Sequence, residues 1–170
     1  MTFFIIAILL VILDQASKFL VHSTLVSGGT LVLIPGLVDI TYVENPGAAF
    51  SMFPNATMVL ASISLAVTIL LILAIALRWL KHPFGRFILT LLLAGAVGNL
   101  IDRAVRGFVI DMIQVKSLPF FGDSFPVFNI ADILVVLGGI LLVLYILFFW
   151  KRCERTYGKR ELKKGKRQNQ

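Results

Sequence analysis

The sequence predicts an all-α polytopic membrane protein: four transmembrane helices, N-terminus and C-terminus inside, with a small extracytoplasmic β-sheet. Three observations predict it. The 170 residues are 58% hydrophobic and only 15% charged, with a mean hydropathy of +0.93, whereas soluble domains are about a quarter charged. Four stretches are long and apolar enough to cross a bilayer, which takes about 20 residues per helix. The basic residues that flank them fall mostly on one side.

The first span is placed at about 3–22. It is apolar except for Asp14, Lys18 and the short polar residues beside them. A cleavable signal peptide would carry a basic n-region and a small-residue cleavage site; this stretch has neither, so it reads as a retained helix. The segment TLVLIPGLVDITYVENPGAAF, residues 30–50, is rich in Val, Ile, Thr and Tyr, with Pro-Gly pairs at 35–36 and 46–47. That composition predicts short strands on the membrane surface. The second span, 57–79, holds a run of 20 uncharged residues from Met58 to Leu77. The third, 84–103, has a short uncharged core from Phe87 to Ile101, so its ends lie close to the interfaces. FVIDMIQV, residues 108–115, has the same β-type composition as the earlier segment. The fourth span, 130–150, ends at Trp150, an interfacial residue followed by Lys151 and Arg152. Residues 1–150 form one integral-membrane domain and residues 151–170 a tail.

Charge sets the orientation. The tail carries nine Lys/Arg against two Glu, which accounts for the whole net charge of +7, and the remaining 150 residues hold seven basic and seven acidic groups. Arg78, Lys81 and Arg86 lie in the short connection between the second and third spans. Ser23 to Thr57 contains no Lys or Arg, and Ala104 to Asn129 only Arg106 and Lys116. Positive residues stay inside, so both termini are cytoplasmic and both long loops are outside. The basic tail is a cytoplasmic anchor on anionic lipid, worth roughly 1 kcal/mol per residue, and nucleic-acid binding is not expected of it. A single cysteine, Cys153, allows no internal disulfide.

With the spans placed, Asp14, Asp102, Asp111 and Asp132 all fall at the outer level. Ionisable residues in or beside hydrocarbon are costly and mark function by default. Each also has a plain structural reading. Asp14 and Lys18 are four apart on one helix face and can neutralise each other. Asp102 lies at a helix C-terminus, where the dipole disfavours an acid, with Arg103 next to it and Arg106 one turn on. Asp132 stands three residues after Asn129, as in a capping box. Asp111 alternates with Ile110 and Met112, and solvent is its simplest partner. Asp111 and Asp132 nevertheless differ from the others, since neither has a basic residue within four positions.

Two adjacent carboxylates titrate as a pair, because both cannot ionise at once. One can then take a proton from water while the other donates to a carbonyl oxygen. That chemistry needs no metal and no cofactor. His22 and His82 lie on opposite sides of the membrane and offer no ligand cluster, and Cys153 is on the inner side, away from the acids. Ala94, Gly95 and Gly98 make a small face suited to close helix approach. Asn45, Asn99 and Asn129 bring three amides to the same level, either to satisfy backbone or to hydrogen-bond a substrate.

DQASK (14–18), ENPGAAF (44–50), GAVGNLIDR (95–103), VIDM (109–112) and FNIADIL (128–134) resemble, in order and spacing, the motifs of bacterial lipoprotein signal peptidase, the signal peptidase II family. The resemblance runs from Asp14 to Leu134. It implies an aspartic endopeptidase of the bacterial plasma membrane that cleaves prolipoproteins on the N-terminal side of a diacylglyceryl-modified cysteine. It makes Asp111 and Asp132 the catalytic pair, with Asp14, Lys18, Asn45, Asn99, Asp102, Arg103 and Asn129 shaping the site and holding substrate. It also implies four transmembrane helices, a β-cradle and a short surface helix. Departures are mild: Ala94-Gly95 stands where the family often has two glycines, and Ile110 and Met112 where Val and Phe are usual. The expected partners are lipid-modified prolipoproteins and membrane lipids, and the expected state is a monomer. Two other classes compete: a small carrier relaying protons through its carboxylates, and a non-catalytic lipid-binding scaffold. A relay needs acids across the bilayer, whereas these lie at one interface and the second span has no charge.

Overall fold

Helix packing in this chain is organised around its third helix. The computed structural model describes residues 1–47, 57–116 and 125–150. In chain order these form α1 (Thr2–Leu25), β1 (Thr30–Ile34), β2 (Val38–Asn45), α2 (Thr57–Ala76), α3 (Pro83–Val105), β3 (Val109–Val115) and α4 (Ile130–Leu144), the last extended by a π-helical turn, Tyr145–Phe149. All four helices have the length and hydropathy to span a membrane. Half of the apolar window of α3 is buried within the protein, against 22% in each of the others. The reason is that α3 packs against α1, α2 and α4, which mostly face outward. The expected basic tail, 151–170, and residues 48–50 of the ENPGAAF box lie outside the described residues, and the short surface helix is not among those described.

Local chemistry sets the helix ends. α1 contains no Gly or Pro and stops just before Gly28-Gly29, three residues beyond the expected boundary. α3 begins at Pro83, whose missing N–H is harmless in a first turn, and His82 caps it, Nδ1 accepting from Phe84 N at 3.2 Å. α4 begins with a full capping box: Asn129 accepts from Asp132 N, and Asp132 accepts from Asn129 N. Outward faces such as Ile5, Ile8, Leu9 and Ile12 on α1 are more than half exposed, the pattern of a surface meant for lipid.

The sheet has the order β1-β2-β3, antiparallel throughout. Between β1 and β2 the chain turns at Pro35-Gly36. Leu37 N donates to Ile34 O at 3.0 Å, and Gly36 takes φ +73°, the type II arrangement with Pro and Gly in their preferred places. At the other edge, the chain leading into α4 pairs with β3. Met112 N and Ile113 N donate to Phe128 O at 3.0 and 2.8 Å, and Phe128 N donates back to Ile113 O at 3.1 Å. This short pairing decides the site, because it lays Asn129 and the start of α4 against Asp111.

Closeness of α3 and α4 depends on Gly95. A Cβ there would stand 2.5 Å from Ala131 O and 2.6 Å from Val135 Cγ2, so α4 lies directly on the α3 backbone. Gly95→Ala is therefore expected to push the helices apart and lower stability by roughly 1–3 kcal/mol, the usual range for overpacking. Gly139, with nothing within 4 Å of the equivalent position, provides the control, and Gly139→Ala should not lower the thermal unfolding temperature in detergent, since Ala is the better helix former.

Candidate active site

α1, α3, β3 and the start of α4 bring Asp14, Asp102, Asp111 and Asp132 into one hydrogen-bonded network. The first half of it is ionic. Lys18 Nζ lies 2.9 Å from Asp14 Oδ2 and 2.8 Å from Asp102 Oδ2, and none of the three side chains has exposed surface. Asp102 also pairs with Arg106, one turn on, and not with its neighbour Arg103. Gln15 Nε2 donates to both acids, at 3.1 Å to Asp14 Oδ2 and 3.2 Å to Asp102 Oδ1. Backbone donors complete the set: Ala131 N to Asp14 Oδ1 at 3.0 Å, and Ile110 N to Asp102 Oδ2 at 3.3 Å. An acid at the end of α3 is tolerated because cations and N–H groups outweigh the helix dipole. Gly98 leaves room for this contact, since a Cβ there would meet Asp14 Oδ2 at 2.5 Å.

The second half is made of amides. Asn45 Nδ2 donates to Asp111 Oδ2 at 2.9 Å, and Asn129 Nδ2 to Asp111 Oδ1 at 2.7 Å. Asn99 Nδ2 donates to Asp132 Oδ1 at 2.8 Å, and Asn129 N to Asp132 Oδ2 at 3.1 Å. The three asparagines thus turn their amino groups toward the two aspartates. The link between the halves is Asn99, whose Oδ1 accepts from Lys18 Nζ at 3.0 Å and from Asn129 Nδ2 at 3.2 Å. Asn45 is itself fixed by an Asx turn, its Oδ1 accepting from Gly47 N at 3.0 Å.

Asp111 does not face solvent. It is 3% exposed, and Val109, Ile110 and Met112 around it are buried too, because the Phe128 pairing covers the strand face that simple alternation would leave wet. Burial pushes the Asp111 carboxyl up from 3.8 to about 6. The amide of Asn45 opposes the rise, the charge of Asp132 adds to it, and Asn129 and Lys18 oppose it more weakly. An acid in this state exchanges its proton near neutrality, as a general acid or base must.

Asp111 and Asp132 both line a cavity of about 610 Å³, together with Asn45, Asn99 and Arg103. The remaining wall is apolar, supplied by Phe125 to Phe128 and by the α4 residues from Ile133 to Ile140. Arg103 donates to Asn99 O and Gly47 O, each at 3.3 Å, and its Nε is buried without a hydrogen-bond partner among the described residues. Asp14, Lys18 and Asp102 are not part of the wall. Reasoning from sequence passed over Gln15 and treated Arg106 only as a neighbour. Gln15 lies inside the DQASK box, but a neutral side chain one position from Asp14 carries no periodicity that singles it out.

Two carboxylates, one on β3 and one in the first turn of a membrane-length helix, held by amides and facing an apolar cavity, define a membrane enzyme of the aspartic-peptidase class. Comparison with known proteins is specific: the chain belongs to the signal peptidase II family, whose sequence model matches residues 6–148. It is 40% identical to the lipoprotein signal peptidase of Clostridioides difficile (strain 630), over 88% of this chain and 97% of that one. It is 36% identical to the lipoprotein signal peptidase of Moorella thermoacetica, over 84% and 90% respectively. A bacterial membrane enzyme structure determined in meso at 1.9 Å aligns with a TM-score of 0.73 and 33% identity, covering 87% of this chain and 94% of that one.

The raised Asp111 pKa has a direct consequence for stability. Between the unfolded value of 3.8 and the folded value of about 6, the folded chain binds more protons than the unfolded one. Stability conferred by the protonated form is complete below pH 4 and is lost as pH rises through 6. At 1.36 kcal/mol per pKa unit, the fall amounts to about 3 kcal/mol. The difference in unfolding free energy between wild type and Asp111→Asn, measured across this window, should carry that slope.

Proposed function

We propose that this protein is an intramembrane aspartic endopeptidase that removes signal peptides from diacylglyceryl-cysteine-modified bacterial prolipoproteins, cutting on the N-terminal side of the lipidated Cys. The observation that carries the reading is the pair Asp111 and Asp132, each with both oxygens held by amide N–H groups at the polar end of an apolar cavity. Relatives named lipoprotein signal peptidase support the same substrate class.

In this reading, water attacks the scissile carbonyl carbon and gives its proton to one carboxylate of the pair. The other, protonated, donates to the carbonyl oxygen. Collapse of the tetrahedral intermediate breaks the C–N bond, and the captured proton passes to the leaving amine. The pair titrates as a unit, so the roles belong to the pair. Arg103, with its unpartnered Nε, and Asn45 hold the peptide beside the dyad. Asn99 and Asn129 hold the carboxylates, and Asp14, Lys18 and Asp102 support them from behind. Acyl chains of the substrate lie against the α4 wall and enter sideways from the bilayer.

The protein is a multi-pass membrane protein. We place it in the bacterial plasma membrane as a monomer, both termini cytoplasmic and the dyad at the extracytoplasmic face, on the strength of Arg78, Lys81, Arg86 and the nine basic residues of the tail.

Asp111→Asn and Asp132→Asn should each lower cleavage of a lipidated precursor by about a thousandfold or more, as loss of half of an acid–base pair does, with the variant still folded in the membrane. Full activity in either would overturn the assignment. Orientation is tested with the single native thiol: a membrane-impermeant maleimide should leave Cys153 unlabelled in intact cells and modify it once the membrane is opened.

A further inference from the structure

Lys18 is the one ammonium in this network, and its three N–H bonds are all committed: to Asp14 Oδ2, Asp102 Oδ2 and Asn99 Oδ1. Each of those partners reaches on toward the dyad. Asp14 accepts from the backbone N–H of Ala131, the residue before Asp132. Asp102 accepts from the backbone N–H of Ile110, the residue before Asp111. Asn99 donates directly to Asp132 Oδ1. Three arms therefore leave one buried nitrogen, and each ends on a catalytic aspartate or on its preceding residue.

We propose that Lys18 is a positioning residue that sets the separation and orientation of Asp111 and Asp132 without touching substrate. This rests on the dyad reading above and deepens it.

Two further features favour positioning over simple neutralisation. The first is the amide of Asn99. An ammonium only donates, so Lys18 obliges Asn99 to present its oxygen to the lysine and its amino group to Asp132. Without Lys18 that orientation rests on the longer bond from Asn129 Nδ2 alone, which holds the amino group on the carboxylate less firmly. The second is local charge. Asp14 and Asp102 are balanced by Lys18 and Arg106, and neutrality alone would need only one of the two acids to reach the ammonium. Instead both do, and each also accepts from the backbone beside a different aspartate: Asp14 through its other oxygen, Oδ1, and Asp102 through the same Oδ2 that meets the lysine. Lys18 does not line the cavity, so its loss should act on the chemical step and leave substrate binding alone.

The test is steady-state cleavage of a synthetic lipidated precursor by the full-length protein in lipid-containing detergent. Lys18→Met keeps an unbranched chain and removes the ammonium. Since misplacing reacting groups by about 1 Å costs roughly a hundredfold, kcat should fall by about that factor while KM stays within about twofold. The paired variant Asp14→Asn/Lys18→Gln keeps the cluster's net charge unchanged and should show the same split, guarding against a fold lost to uncompensated buried charge. Wild-type kcat in either folded variant would overturn the proposal, as would a raised KM at unchanged kcat. Failure of both variants to fold would also overturn it, in favour of a purely structural lysine. Asp111→Asn separates the two readings: if it is inactive while Lys18→Met is fully active, only the positioning role fails, and if it is active, the dyad itself fails.

Discussion

A lysine with no exposed surface, held between two carboxylates with none, is the interaction on which the rest of this structure depends. Burying an ion costs several kcal/mol even after relaxation, and a buried pair is tolerable only when its remaining protons and lone pairs are satisfied. Here they are. Lys18 uses three donors, and each oxygen of Asp14 and Asp102 accepts from at least one N–H. These bonds come from α1, α3, the start of β3 and the start of α4, so one electrostatic requirement ties together elements that hydrophobic packing between lipid-facing helices would not orient by itself.

Within a few ångströms of that cluster, two more aspartates are treated differently. Asp111 and Asp132 accept only from amides and from backbone N–H. A full positive charge in contact would hold a carboxylate ionised. Neutral donors fix its position and leave its proton exchangeable, which suits acid–base chemistry. The network separates two acids in contact with full cations from two held only by neutral donors, and Asn99 is where the two sets meet.

The scaffold makes this possible by surrendering side chains. Gly95 and Gly98 let α4 and the Asp14 carboxylate approach the α3 backbone closely. An apolar wall along α4 then continues from the dyad, so the polar chemistry is confined to one end of a surface that lipid or a lipid-bearing peptide can wet.

Much of this was legible in the chain itself. Hydropathy runs identified the four spans because the backbone in hydrocarbon must satisfy itself within a helix, and the observed boundaries of α3 and α4 differ from the expected ones by two residues or fewer when the terminal π-helical turn is counted with α4. Missing counter-ions distinguished Asp111 and Asp132 from Asp14, and the Asn129–Asp132 spacing announced the capping box. Other features depend on contacts between residues far apart in sequence. Asp102 takes Lys18, 84 positions away, in preference to the adjacent Arg103. Asp111 is buried because Phe128 pairs with Ile113. Asn45, Asn99 and Asn129 turn toward the carboxylates because each amide has only one orientation that satisfies all its neighbours. Periodicity and local charge determine which face a residue occupies and whether a near neighbour neutralises it. Which partner it meets across the bundle is decided by tertiary packing, and in this protein those distant partners assemble the site.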